Sequence, residues 1–188
     1  MTTTAVVRRR HVPGEAELWI LVLGDLAVFT VFFGVLGWQH HTHPASYADG
    51  QAGLATGLGL LNTLLLLTGS ALVASALTRA RAGHWVAARG GYLLAIACGL
   101  GFVAVKAVEY AGHAGEPVDE FLSYYYVFTG IHLAHVLAGL VCLAVAARRC
   151  GLAARWDEPS ERLLEGLGVY WHLVDLLWIV LFVLLYLA

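Results

Sequence analysis

Tyr170-Trp171-His172-Leu173-Val174-Asp175-Leu176-Leu177-Trp178 lies inside a C-terminal run, Leu163 to Ala188, that is otherwise almost wholly apolar. The run is long enough to span a bilayer as a helix. At about 100° per residue, Trp171, His172, Asp175, Trp178 and Phe182 fall within one arc of that helix. Leu173, Leu176, Leu177, Val180, Leu181 and Leu184 fill the rest. One side is therefore aliphatic and suits lipid, while the other carries a carboxylate, an imidazole and two indoles. An ionisable group in hydrocarbon costs about 2.5–3.5 kcal/mol on insertion scales. Asp175 is thus expected to face protein and to be paired, either with His172 one turn earlier or with a neighbouring helix.

The surrounding composition fits this reading. The chain has 188 residues, 60% hydrophobic and 13% charged, with a mean hydropathy of +0.74. A soluble domain of this size carries roughly 25% charged residues. Cys98, Cys142 and Cys150 cannot all pair and form no CxxC, so neither a disulfide framework nor a zinc site is expected. Arg8-Arg9-Arg10 is not followed by an apolar segment ending in a small-residue cleavage site, and no removable signal peptide is read.

Apolar spans run over about 17–38, 53–77, 87–111, 123–147 and 163–188, each near the ~20 residues a spanning helix needs. The fold class expected is all-α: a polytopic bundle of five transmembrane helices over 17–188, preceded by a polar segment at 1–16. All four prolines are placed outside the spans. Orientation follows from the arginines. Arg8 to Arg10 precede the first span, Arg79, Arg81 and Arg89 lie around the second connection, and Arg148, Arg149, Arg155 and Arg162 lie around the fourth. The connections 39–52 and 112–122 hold acids but no Lys or Arg. The N-terminus is therefore expected in the cytoplasm and the C-terminus outside.

Polar residues recur within the spans. At about 1.5 Å per residue, Asp25, Asn62, His132, His135, His172 and Asp175 come near mid-membrane, on four different helices. Lys106 and Glu109 are spaced for an ion pair one turn apart in the third span. The fourth span puts Tyr125, Phe128, His132, His135 and Gly139 on one side. The second aligns Ala55, Gly59, Asn62 and Gly69, a small-residue face that allows close helix contact. Trp38, Tyr47 and Tyr124 to Tyr126 read as membrane-interface anchors, and Gly53-x-x-x-Gly57 reads as helix packing.

Three uses of this polar layer stay open on the residues alone. The atom types suit a metal or haem site, yet the inward Glu-x-x-His repeats of di-iron bundles are missing. Intramembrane acids and histidines also mark proton and ion paths, but no span is broken midway by Pro and no inverted repeat is visible. The third use is structural: buried polar groups that hydrogen-bond helix to helix and fix packing.

Several motifs together resemble one family, the third subunit of the haem-copper respiratory oxidases, from about Glu17 to Leu187. Tyr170-Trp171-His172-x-x-Asp175-x-x-Trp178 is similar to the signature of that family's last helix. Thr129-Gly130-x-His132-x-x-His135-Val136-x-x-Gly139 resembles the motif of the preceding helix, and Leu61-Asn62-Thr63 and Glu109-Tyr110 match two others. The resemblance implies a five-helix bacterial form in the inner membrane, with no haem or copper of its own. It would pack against the catalytic subunit I and subunit II, hold phospholipids in a cleft, and support sustained turnover and proton uptake. The resemblance implies no nucleic-acid partner. Asp25 aligns with a buried glutamate of the family's cleft and Arg149 with an arginine near lipid phosphate, so both are lipid-contact candidates. Asp25 is one methylene shorter than that glutamate, and Lys106 stands where relatives often carry glutamine. The ending from Asp175 to Leu187 also resembles the branch found with nitric oxide reductases, an alternative host.

Overall fold

A computed structural model describes residues 16–113, 115, 119–152 and 158–187. The expected N-terminal segment up to residue 15, with Arg8 to Arg10, lies outside the described residues, as do Glu116, Arg155 and Ala188. Among the described residues six helices run in order: α1 (Ala16–Thr42), α2 (Pro44–Ala52), α3 (Thr56–Arg81), α4 (Trp85–Gly112), α5 (Glu120–Leu152) and α6 (Glu158–Phe182). A π-helical turn, Val183–Leu187, continues α6. Five segments are long and apolar enough to cross a membrane: Glu17–Thr42, Thr56–Arg81, Trp85–Gly112, Glu120–Leu152 and Pro159–Leu187. The protein is a multi-pass bundle of five such helices.

The short α2 was not expected. Pro44 stands in its first turn, where its fixed φ suits a helix and its missing N–H is no loss. Tyr47 anchors it, packing edge-on against Phe121 at 4.8 Å and against His40 at 5.0 Å. Burial holds the Tyr47 phenol neutral, its pKa raised to about 12. Tyr47 is therefore a buried peg rather than an interface anchor; Trp38 is 68% exposed and fits that role. Gly53 caps α2 and an added Cβ at Gly57 would meet nothing within 4 Å, so the Gly53–Gly57 pair packs no helix.

The spans are longer than their apolar cores. Arg79, Arg81, Arg89, Arg148 and Arg149 lie on the last or first turns of α3, α4 and α5 rather than in loops. Their long aliphatic stems let the charge reach water from a helix end. Pro159 sits in the first turn of α6, so one proline does lie on a spanning helix, at a position that tolerates it. Asp119 caps α5, its carboxylate accepting from the Leu122 N–H at 2.7 Å.

The core is a ring of four helices. α3 packs on α4, α4 on α5, α5 on α6 and α6 back on α3, while α1 leans mainly on α6. The Trp171 indole fills the middle of the ring. A Cβ on Gly139 of α5 would stand 2.9 Å from it, one on Gly99 of α4 2.9 Å, and one on Gly69 of α3 3.4 Å. Gly91 meets the Ala76 methyl at a would-be 2.9 Å, letting α3 and α4 approach closely.

α6 departs from the wheel. Its aliphatic arc was expected to face lipid, yet Leu173, Leu177 and Leu181 are buried. Neighbours cover α6 on nearly every side, and its outward strip is His172, Leu176, Val183 and Leu187 instead.

Gly99→Ala and Gly139→Ala are each expected to destabilise the bundle by about 1–3 kcal/mol, because a rigid indole cannot yield to the added methyl. Gly34→Ala on α1, where a Cβ meets nothing within 4 Å, is expected to be neutral. Thermal unfolding in detergent, comparing the three variants, checks this.

Candidate functional site

The expected polar residues form several separate groups rather than one connected layer. The tightest surrounds Lys106, which is 0% exposed. Its ammonium donates to Glu109 Oε2 at 2.8 Å, to the Tyr186 hydroxyl at 2.9 Å and to the Tyr125 hydroxyl at 3.1 Å. A lysine has three such protons, and each has an acceptor. The Tyr186 O–H donates to the other carboxylate oxygen of Glu109 at 2.5 Å. The ammonium also lies 4.8 Å from the ring centres of Tyr125 and Trp178, where the ring quadrupoles favour a cation. Tyr125 is thus part of this core rather than an interface anchor.

Neither Tyr125 nor Tyr186 was read as a partner of the pair. The signal was present for Tyr186: Trp178, Phe182 and Tyr186 recur at four-residue spacing, a stripe along one helix side. The π turn lies under that stripe, and such turns add a residue per turn and re-aim the side chains beyond them.

His132 is fully buried one layer away, with neither ring nitrogen hydrogen-bonded among the described residues. Its ring lies 5.6 Å from Phe102, edge to face, and 5.2 Å from Trp178. It serves as an aromatic packing unit. Asn62 is likewise 0% exposed, with both amide atoms unpartnered among the described residues. Beside it on α3, Thr63 accepts from the Trp178 indole N–H at 3.0 Å.

Asp175 is buried and faces α3, close enough to the His172 imidazole one turn earlier for the two to interact electrostatically, with no hydrogen bond between them among the described residues. Ser70 of α3 lies beside both, with its hydroxyl 3.1 Å from His172 Nδ1. Oδ1 of Asp175 has no partner among the described residues. His172, expected among the buried polar residues, is exposed on the outward strip of α6. The cause is angular: Trp171 is pinned inward, and the next residue turns about 100° away.

Asp25 of α1 is only partly buried and faces His135 of α5, Oδ2 to Nε2 at 3.7 Å, with side-chain exposures of 23% and 22%. His135 Nδ1 lies 2.8 Å from the Ile131 carbonyl. An N–H there would leave Nε2 turned toward the carboxylate.

At the arginine-bearing end, Arg81 of α3 pairs with Glu165 and, at 3.5 Å, with Glu161, both on α6. A cleft of about 760 Å³ opens there between α1, α5 and α6. Its apolar wall includes Leu21, Cys142 and Leu167; Arg149 and Arg162 supply positive charge, and Glu17 negative. Asp25 is one turn beyond Leu21 and does not line it.

Residues 49–188 match the family described as cytochrome c oxidase subunit III. The chain belongs to that family. Among its relatives, cytochrome c oxidase subunit 3 of Synechocystis sp. is 27% identical over 203 residues, covering 100% of this chain and 87% of the relative. Cytochrome c oxidase subunit 3 of Alkalihalophilus pseudofirmus is 28% identical, covering 90% and 84%. Probable quinol oxidase subunit 3 of Staphylococcus epidermidis is 29% identical, covering 89% and 85%. Subunits of this family associate with a haem-copper oxidase complex.

Lys106→Met is expected to destabilise the fold by about 3–5 kcal/mol, because it strands Glu109 without a cation in a low-dielectric site. Adding Glu109→Leu should recover more than half of the loss. Asp175→Ala should cost about 1 kcal/mol or less, since Ser70 keeps His172 as its partner and Asp175 Oδ1 makes no bond to lose. Unfolding temperatures in one detergent measure all three; a wild-type value for Lys106→Met would contradict the assignment.

Proposed function

We infer that this chain is the non-catalytic subunit III of a haem-copper oxidase, multi-pass in a bacterial inner membrane, with its N-terminus in the cytoplasm. Haem and copper belong in this reading to the catalytic subunit I, beside subunit II. The chain supplies a packed membrane scaffold, retains lipid against that complex and sustains its proton-coupled turnover.

The observation that carries the reading is the family match over 49–188. Relatives named for both cytochrome c and quinol oxidases bear the same subunit designation, so the role does not depend on one electron donor. The polar groups support a scaffold. Lys106, Glu109 and Tyr186 bond to one another, and His132 is enclosed by Phe102 and Trp178.

Lipid retention rests on the cleft beside α1. Its volume of about 760 Å³, apolar wall and arginines at one end suit a phospholipid with its phosphate near Arg149 and Arg162 and its chains along Leu21 and Leu167. A guanidinium binds phosphate through paired N–H donors. Asp25 contributes indirectly, holding α1 through His135 at the deep end of the cleft.

The test is affinity purification of the tagged full chain after mild solubilisation. A co-purifying subunit with a haem-copper optical spectrum is expected, and the oxidase prepared without this chain should lose activity progressively during turnover. A haem band or stoichiometric metal in the isolated chain would overturn the reading. A nitric oxide reductase as the co-purifying complex would replace the host while leaving the scaffold role intact.

A further inference from the structure

On the far side of α5 from that cleft, a second groove opens at the same end of the bundle, between α4 and α5. Its volume is about 310 Å³. Leu93 and Ile96 of α4 form one wall, and Ala144 and Ala147 of α5 form the other. Arg89 and Arg148 stand at its rim. We propose that this groove is a binding site for an anionic phospholipid, its phosphodiester held between Arg89 and Arg148 and an acyl chain lying on the apolar walls.

Three observations carry the proposal. First, Arg148 and Arg149 are consecutive on one helix and so point about 100° apart; one serves this groove and the other the α1 cleft. Second, Arg89 reaches across from α4 to α5. A Cβ on Gly151 would sit 3.4 Å from Arg89 Cδ, Nε and Nη1, so the guanidinium lies over the α5 backbone one turn from Arg148. Third, both arginines are exposed, and no acidic side chain among the described residues pairs with either. By contrast, Arg81, at the end of α3, is neutralised by Glu161 and Glu165. Two unneutralised guanidiniums on the rim of one groove are stabilised by a shared anion.

The position selects the source of the anion. The rim lies at the helix ends, at headgroup depth, where anionic lipids attract basic side chains. The small Ala144 and Ala147 leave a channel running from the rim toward the membrane interior along Leu93 and Ile96. Free phosphate would use the two arginines and leave that apolar channel without a purpose.

The experiment is native mass spectrometry of the delipidated full chain in mild detergent. It is titrated with phosphatidylglycerol, with phosphatidylcholine of identical chains, and with inorganic phosphate. Wild type is expected to bind phosphatidylglycerol at least tenfold more tightly than phosphatidylcholine. Arg89→Gln/Arg148→Gln should lose one adduct, and Arg149→Gln/Arg162→Gln should keep it, which separates this site from the α1 cleft. Ala144→Leu, which fills the channel and leaves the charges alone, should weaken the lipid adduct. Circular dichroism of each variant verifies the helical fold. The proposal is overturned if Arg89→Gln/Arg148→Gln binds phosphatidylglycerol as wild type does, if phosphatidylcholine binds equally well, or if inorganic phosphate displaces the lipid.

Discussion

The Trp171 indole sits where glycines of three different helices leave room for it. Lipid tails are as apolar as leucine, so helices in a membrane gain little from hiding apolar surface and hold together through close van der Waals contact. A large flat ring against bare backbone provides that contact over a wide area. It also fixes the rotation of α6. With Trp171 pinned inward, Asp175 must meet α3, Trp178 must reach Thr63 and the Lys106 ammonium, and His172 must turn outward. The signature of the last helix is thus a consequence of one packing decision, with its polar members placed by the helical period.

Buried polarity takes two forms around that axis. Around Lys106 every charge has a partner: three acceptors for the ammonium, a donor on each carboxylate oxygen, and aromatic faces on the cation. Such a site repays much of its desolvation cost while making loss of either charge severe. The π turn belongs to this arrangement, since Tyr186 lies within it and bonds both members of the pair. His132 takes the other form. It gives up hydrogen bonding and packs as a ring between Phe102 and Trp178. A neutral imidazole costs far less to bury than a charged one, so the two forms can lie a few ångströms apart within one ring of helices.

Much of this is legible in the residues alone. Long apolar runs separated by short polar connections give the five spans, because hydrophobic length is a property of the segment alone. The Lys106–Glu109 pairing follows from helical spacing, and the inward side of α5 from the period of Tyr125, His132 and Gly139. The features that stayed hidden depend on neighbours. The burial of Leu173 and Leu177 reflects how many helices surround α6, which no single wheel contains. Ser70 as the partner of His172 requires the register of α3 against α6. The helix at Pro44–Ala52 was hidden for a different reason: its apolar content is small, and a single tyrosine docking on Phe121 holds it. Arginines expected in loops lie on helix ends because a hydropathy boundary marks where charge begins, and the hydrogen-bonded turns continue beyond it.

The weakest attachment in the bundle is that of α1. It is the least buried of the five spans, and its main support is α6 rather than the ring as a whole. Midway along, Asp25 faces His135 at 3.7 Å, and Phe29 and Phe32 pack on His135 and Phe128 nearby. Toward the arginine-bearing end Val22 is buried and Leu18 and Trp19 pack on the core, while α1, α5 and α6 together border the cleft lined by Leu21, Cys142 and Leu167. The leucines lining that cleft favour an apolar filling, since open water against them is unfavourable by about 25 cal/mol per Å². In the function proposed above, acyl chains would meet that need and Arg149 that of a phosphate. The carboxylate–imidazole contact lies one turn beyond the cleft, where it and the Phe29 and Phe32 rings join α1 to α5.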